Sequence, residues 1–175
     1  MRSTALLAAL AAVPLALSGC GAVDEVTADD AYSSESDPCP AMRPAASRLL
    51  GAGFADGPRR HEGDDCAWKA GSGPWYALSV RLVVFRREGM SSGESRARIH
   101  HEKGGLHSGA ARTCPGVSAD CLYSVDVELD WLIVSVRDRN RTVTATLRAA
   151  PENGLEQRTA VTEATVLGRA LAAVP

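Results

Sequence analysis

Lysine is almost missing from this 175-residue chain, which holds two lysines against 17 arginines. In a chain rich in Ala and Gly, that skew reads as the codon bias of a GC-rich genome and not as chemistry. Positive charge is not in surplus either, the formal net charge being −2. Without a polybasic stripe the chain lacks the electrostatic footprint of a nucleic-acid binder. Aromatic residues make up only 5 %, so each large ring carries weight. Beyond Leu17 nothing approaches the ~18 consecutive apolar residues of a membrane-spanning helix. No P-loop lysine pattern occurs, which removes one common signature of nucleotide binders. No repeat of fixed period is found, which argues against solenoids and propellers.

What is present begins at the N-terminus. Met1-Arg2 precedes an apolar run from Ala5 to Leu17 that ends in Leu17-Ser18-Gly19-Cys20. A positive start, a short apolar stretch and small residues before the cut are the physical parts of a secretory signal. The four-residue ending resembles the lipobox of bacterial lipoproteins, whose cysteine receives a diacylglyceryl group and becomes the new N-terminus. The expectation is a signal peptide over 1–19 and lipidation of Cys20, with palmitate as a typical chain, placing the protein on the outer face of the cell membrane. Loss of the leader with Arg2 would shift the net charge from −2 to −3. Residues 20–37 hold six carboxylates and no basic residue. With little to bury, that stretch is expected to form an acidic flexible tether. Residues 38–175 are then one domain, long enough for a single core.

With Cys20 assigned to lipid, Cys39, Cys66, Cys114 and Cys121 remain, an even number suited to an oxidising compartment. Of three connectivities we favour Cys39–Cys66 and Cys114–Cys121, because each closes a local loop between elements. The rival, a four-thiolate zinc site, lacks the paired C-x₂-C spacing of such sites.

Periodicity supplies the elements. Ala41–Leu50 reads as a short helix with Met42, Ala46, Leu49 and Leu50 on one side, stopped by Gly51 and Gly53, with Pro44 tolerated only in the first turn. Cys66-Ala67-Trp68 opens a strand. Trp75–Arg87 is the clearest strand, with Tyr76, Leu78, Val80, Leu82 and Val84 alternating on one face. Gly93–Lys103 reads as a helix with a thin stripe of Ala97 and Ile99. Short strands surround Cys114 and Cys121. Trp131–Arg137 and Arg141–Leu147 make a hairpin through Asp138-Arg139-Asn140, with Leu132, Val134, Val136, Val143, Ala145 and Leu147 inward. A last helix carries Ala160, Ala164, Leu167, Leu171 and Val174 at spacings of four and three. Strands joined by turns pair antiparallel, so the fold class is α+β: a curved antiparallel sheet packed against helices, a single domain stapled by two disulfides.

Asp37-Pro38-Cys39, a short helix ending Leu49-Leu50-Gly51, a charged loop and Cys66-Ala67-Trp68 follow the lipobox and tether in that order. Together they resemble the actinobacterial lipoproteins grouped as domain of unknown function 3558. The resemblance implies a small secreted α+β domain with a Cys39–Cys66 bridge and no established catalytic residues. Its specific part is the first third of the domain.

Several clusters invite chemistry. His61-Glu62 begins like a metalloprotease motif, but Asp65 stands where the second histidine belongs. His100, His101 and His107 lie close in sequence, yet adjacent helical residues point ~100° apart, so a polar, exposed helix is expected instead of a metal site. Asp126, Glu128 and Asp130 would share a face if extended, but lack the further ligands of a calcium site. Gly51 to Gly57 has misplaced glycines and follows a helix, so it is no phosphate loop. Arg137, Arg139 and Arg141 at a hairpin tip, with Thr142, Thr144 and Thr146 on its outer face, read as a solvated hairpin, the alternative being contact with an anionic envelope polymer or lipid. Trp68, Trp75, Tyr76 and Trp131 are either core packing or the lining of a pocket. No metal, cofactor or catalytic set is assigned. The expectation is a non-enzymatic domain that binds a small ligand or envelope component. The alternatives are an accessory subunit beside an envelope protein, marked by an exposed apolar patch, and an envelope hydrolase, marked by a nucleophile and base brought together.

Overall fold

In the computed structural model, which describes residues 31–57, 64–104, 110–150, 155 and 157–175, chain order gives helix α1 (Cys39–Leu50), strands β1 (Ala55–Asp56), β2 (Cys66–Lys69) and β3 (Trp75–Val84). Helix α2 (Gly93–Ile99) runs into a π-helical turn at His100–Gly104. Strands β4 (Arg112–Thr113), β5 (Asp120–Asp126), β6 (Trp131–Asp138) and β7 (Arg141–Ala149) follow, then helix α3 (Gln157–Ala172). The strands form one antiparallel sheet of seven in the order β1-β2-β3-β7-β6-β5-β4. The α+β class is as expected. Among the described residues, no helix is long and apolar enough to cross a membrane.

Alternation decides which side of the sheet is the core. Leu78, Val80 and Leu82 on β3, Val143, Ala145 and Leu147 on β7, and Leu132, Val134 and Val136 on β6 are all buried on one face. Helices α1 and α3 close that face with Met42, Leu49, Leu50, Ala160, Ala164, Leu167 and Leu171. The stripe read from the last helix is fully buried, Val174 included. Helix α1 begins two residues earlier than its apolar pattern indicated, so Pro44 falls in the second turn. Gly51 ends it with φ +77°, a backbone angle that glycine adopts without strain.

Both expected disulfides are present. Cys39–Cys66 joins α1 to β2 and Cys114–Cys121 closes a short loop onto β5. All four sulfurs are thereby engaged, which removes the four-thiolate zinc alternative. Two disulfides belong to an oxidising compartment, so the folded domain is extracytoplasmic. Helix α3 passes close over the second bridge. A Cβ added at Gly168 would lie 2.7 Å from the Cys121 sulfur and 3.1 Å from Val117 Cγ2. Alanine would gain ~1 kcal/mol of helix propensity there, but overpacking costs ~1–3 kcal/mol and a disulfide cannot swing aside. We expect Gly168→Ala to lower stability in a urea titration, although glycine-to-alanine changes in helices ordinarily raise it.

The edge of the acidic segment is docked, contrary to what its composition indicates. Tyr32 N–H donates to Asn140 Oδ1 and Asn140 Nδ2 donates back to the Tyr32 carbonyl, both at 2.9 Å. Ser36 reaches the Pro175 carbonyl at 2.8 Å. Asn140 also donates to the Phe85 carbonyl, and Phe85 N–H donates to the Asn140 carbonyl. These contacts follow directly on the end of β3 at Val84, three residues short of the expected Arg87. The hairpin tip is therefore not simply solvated. Asn140 and Arg141 are buried, and only Asp138 and Arg139 are exposed at the turn.

Candidate functional site

The second face of the sheet is divided. Helix α2 and its π-turn cover one half, starting from Ser92, whose side chain accepts from Ser95 N–H and caps the helix. The expected stripe of Ala97 and Ile99 is corrected: Ala97 is buried, but Ile99 is 51 % exposed. The next buried side chain is His101, one helical turn after Ala97 and 1 % exposed. The histidines do not face solvent as expected. His101 Nδ1 lies 3.0 Å from Ser135 Oγ, which Thr144 approaches at 3.2 Å. His100 packs on Phe85 with ring centroids 5.0 Å apart, and its Nδ1 is 3.4 Å from Thr142 Oγ1. The hydroxyls on this face give a polar helix its partners. His107 lies outside the described residues, as do His61 and Glu62.

A nucleophile and base do meet here, the arrangement a hydrolase would need. Ser135 and His101 are within hydrogen-bond distance, and His101 Nε2 is 3.4 Å from Asp120 Oδ1. We assign the Nε2–H tautomer from this network, so that Ser135 donates to Nδ1 and accepts from Thr144. The serine hydroxyl is sealed, Ser135 being 0 % exposed. As placed, the group pins the π-turn to β6 and offers no path for a substrate. Burial lowers the His101 pKa below the ordinary imidazole value, against the opposing pull of Asp120 and with the nearby Arg137 adding to the drop. Burial and Arg81 lower that of His100. A histidine depressed in the folded state contributes stability above the unfolded pKa of ~6.5 and loses it as pH falls through the folded value. The urea midpoint should therefore fall as pH drops from 7 towards 5. In His101→Gln the slope over that window should be shallower.

The other half of the second face is open. Strand register lays its side chains in rows across the sheet. Lys69, Ala77, Arg148 and Trp131 form one row on β2, β3, β7 and β6. Ala67, Ser79, Thr146 and the buried Ile133 form the next. A register shift between Trp75 and Ala77 is the reason Tyr76 belongs here. Strict alternation had placed Tyr76 with Leu78 on the core face; the bulge turns Trp75 into the core and Tyr76 onto the open face. There its ring has Lys69 Nζ at 4.9 Å and Arg148 Cζ at 5.8 Å from its centroid.

Small residues at Ala67 and Ala77 make this surface concave. The resulting cleft has a volume of about 70 Å³, with Lys69, Tyr76, Ser79, Trp131 and Arg148 prominent in its walls. That is room for a small planar group, since one water needs ~10–15 Å³. Of the four aromatics singled out from the sequence, Tyr76 and Trp131 meet at this cleft, while Trp68 and Trp75 are buried in the core. Lys69, Arg148 and Ser79 do not stand out in the sequence, and Thr146 does so only with the outer face of the hairpin. Each looks like the solvated side of a strand until the register puts them together.

Two other depressions are weaker candidates. A wider groove of about 460 Å³ runs beside the Cys39–Cys66 bridge. Its carboxylates are already engaged: Asp65 accepts from Leu82 N–H at 2.6 Å, Asp37 from Cys39 N–H at 2.9 Å, and Asp56 sits 3.8 Å from Arg43. The third, about 200 Å³, is lined by Arg112, Tyr123, Val125, Val127 and Leu155 among others. The expected calcium stripe is corrected: β5 ends at Asp126, which accepts from Glu128 and Leu129 N–H at 3.1 Å, and Asp130 turns with φ +53°. The three carboxylates therefore do not lie along one extended strand.

No family model matches this chain, and no curated protein matches it. Among solved structures it is similar to the solution structure of cyanobacterial PsbP (CyanoP) from Synechocystis sp. PCC 6803. The identity is 16 %, covering 69 % of this chain and 78 % of that one, with a TM-score of 0.35. A likeness at that score carries no argument about ligand or activity.

Proposed function

We propose that this protein is an extracytoplasmic lipoprotein, anchored in the cell membrane through lipid on Cys20, whose domain binds a small ligand in the open half of the sheet's second face. Cys20 lies outside the described residues, and the anchor rests on the Leu-Ser-Gly-Cys ending behind its apolar run. The same residues, with the Cys39 and Cys66-Ala67-Trp68 landmarks, support placing the chain with the actinobacterial lipoproteins of domain of unknown function 3558. The observation that carries the binding reading is the cleft itself. An apolar floor with few convergent polar groups is the usual make-up of a ligand site.

The experiment is a thermal unfolding series with a small-molecule extract of the producing cell's envelope. A ligand that binds only the folded state raises the midpoint by mass action. The extract should stabilise the wild-type protein and leave Ala77→Trp, whose indole fills the cleft, unmoved. Failure to stabilise the wild type, or equal stabilisation of both, would sink the reading.

A second reading, an accessory subunit beside another envelope protein, has one observation in its favour. Val127 and Leu129 are 72 % and 48 % exposed on the β5–β6 turn, next to the third depression. On that reading Val127→Asp would abolish co-purification with the partner and Ala77→Trp would not.

A further inference from the structure

We infer that the cleft selects an oxyanion borne on a small planar body, such as an aromatic carboxylate; the inference rests on the cleft being a ligand site. The reasoning starts from the row Lys69, Ala77, Arg148, Trp131. Neighbouring strands are ~4.8 Å apart, so the two cations stand roughly 10 Å apart on either side of a methyl group. Their side chains converge on the same tyrosine ring. Two like charges brought together raise each other's energy, and cross-strand cations ordinarily face carboxylates.

Here they do not. The strand partners of Lys69 are Ala55 and Ala77, and those of Arg148 are Ala77 and Trp131. Among the described residues neither Lys69 nor Arg148 enters an ion pair. Among the described residues no carboxylate lines the cleft. Asp126, the acid that continues the row beyond Trp131, is held by the amides of its own turn.

An anion above Ala77 would therefore meet two cations with no competing carboxylate among the described residues of the walls. Arg148 offers a planar fork of donors suited to both oxygens of a carboxylate. Ser79 and Thr146, one row along, supply hydroxyl donors. The floor of Ala67 and Ala77 and the wall of Trp131 are apolar and fit the flat body of a ring. The volume of about 70 Å³ is too small for a lipid or a polymer segment, so a ring would sit partly exposed at the mouth.

The test is a chemical-shift titration of the full chain, ¹⁵N-labelled, with sodium benzoate and in parallel with its neutral isostere benzamide. Benzoate should move the Trp131 indole and the amides of Ala77, Ser79, Thr146 and Arg148, and bind about tenfold more tightly than benzamide, on the scale of one charge-assisted hydrogen bond. Arg148→Gln and Lys69→Gln should each weaken benzoate several-fold, leave benzamide unchanged, and keep the thermal midpoint of the wild type. Benzoate affinity should fall with added salt. If both probes bind the cleft equally and the glutamine variants change nothing, charge selection is wrong while the cleft remains a ligand site. If neither probe moves these resonances, the inference and the binding reading fall together.

Discussion

Replacing Arg141 with alanine should lower the unfolding free energy by about 3 kcal/mol, the scale of a broken buried charge network. Arg141 is the first residue of β7 and is buried, unlike its neighbour Arg139. Its Nη2 donates to the Val174 carbonyl at 2.9 Å and its Nη1 to the Pro175 carbonyl. The Asp138 carboxylate lies 3.3 Å from Nη2, and the Tyr32 ring sits beneath the guanidinium at 4.0 Å. Carbonyls just past a helix C-terminus lack intrahelical partners and carry the negative end of the helix dipole. One side chain thus fastens the end of α3, the β6–β7 turn and the segment preceding α1. Without it, those carbonyls lose a charged donor and Tyr32 loses its ring contact. Lysine should recover only a minor part, because a single ammonium cannot fork between two carbonyls and stack on a ring. Urea titration gives the loss, and faster amide exchange over residues 32–36 would show the segment released. A loss below ~1 kcal/mol would mean these contacts are worth no more than a surface ion pair.

Removing the Cys39–Cys66 bridge by a double alanine substitution should cost about 3.5 kcal/mol on the loop-entropy account. The bridge spans a sequence separation of 27, against 7 for Cys114–Cys121. The same account gives ~2.5 kcal/mol for the shorter loop, so the two variants should differ by about 1 kcal/mol. The longer bridge also ties α1 across to β2, close to the sheet edge formed by the two-residue β1. Its loss should loosen that corner first. Comparing the two variants by urea titration separates the accounts: a costlier Cys114–Cys121 would show that packing against Gly168 outweighs loop entropy.

The core was legible because burial on one side writes a period into the chain. Leu132-x-Val134-x-Val136 and Val143-x-Ala145-x-Leu147 mark the core face of the hairpin, although Ile133, Ser135 and Thr142 on its other face are buried too, and the Ala160 to Leu171 stripe follows a helix. The same reasoning failed where one residue more or less shifts the period. Tyr76 continues an unbroken apolar alternation in the sequence, and only the bulge beside it reverses its face. The π-turn after Ile99 likewise presents His101 inward, where a polar side chain succeeds because Ser135 and Thr144 meet it. Tyr32 sits in a stretch whose composition argues for disorder, and its docking depends on an asparagine more than a hundred positions away. Lys69 and Arg148 became a pair only through the register of three strands, information that no local window contains.

The measurement that tests the central claim most directly is native mass spectrometry of the exported chain beside its Ala77→Trp variant, both purified gently. The account predicts a small non-covalent mass on the wild type that leaves on denaturation, and its absence from the variant. A wild-type protein that carries nothing, or an adduct retained equally by Ala77→Trp, would contradict a ligand site in the cleft.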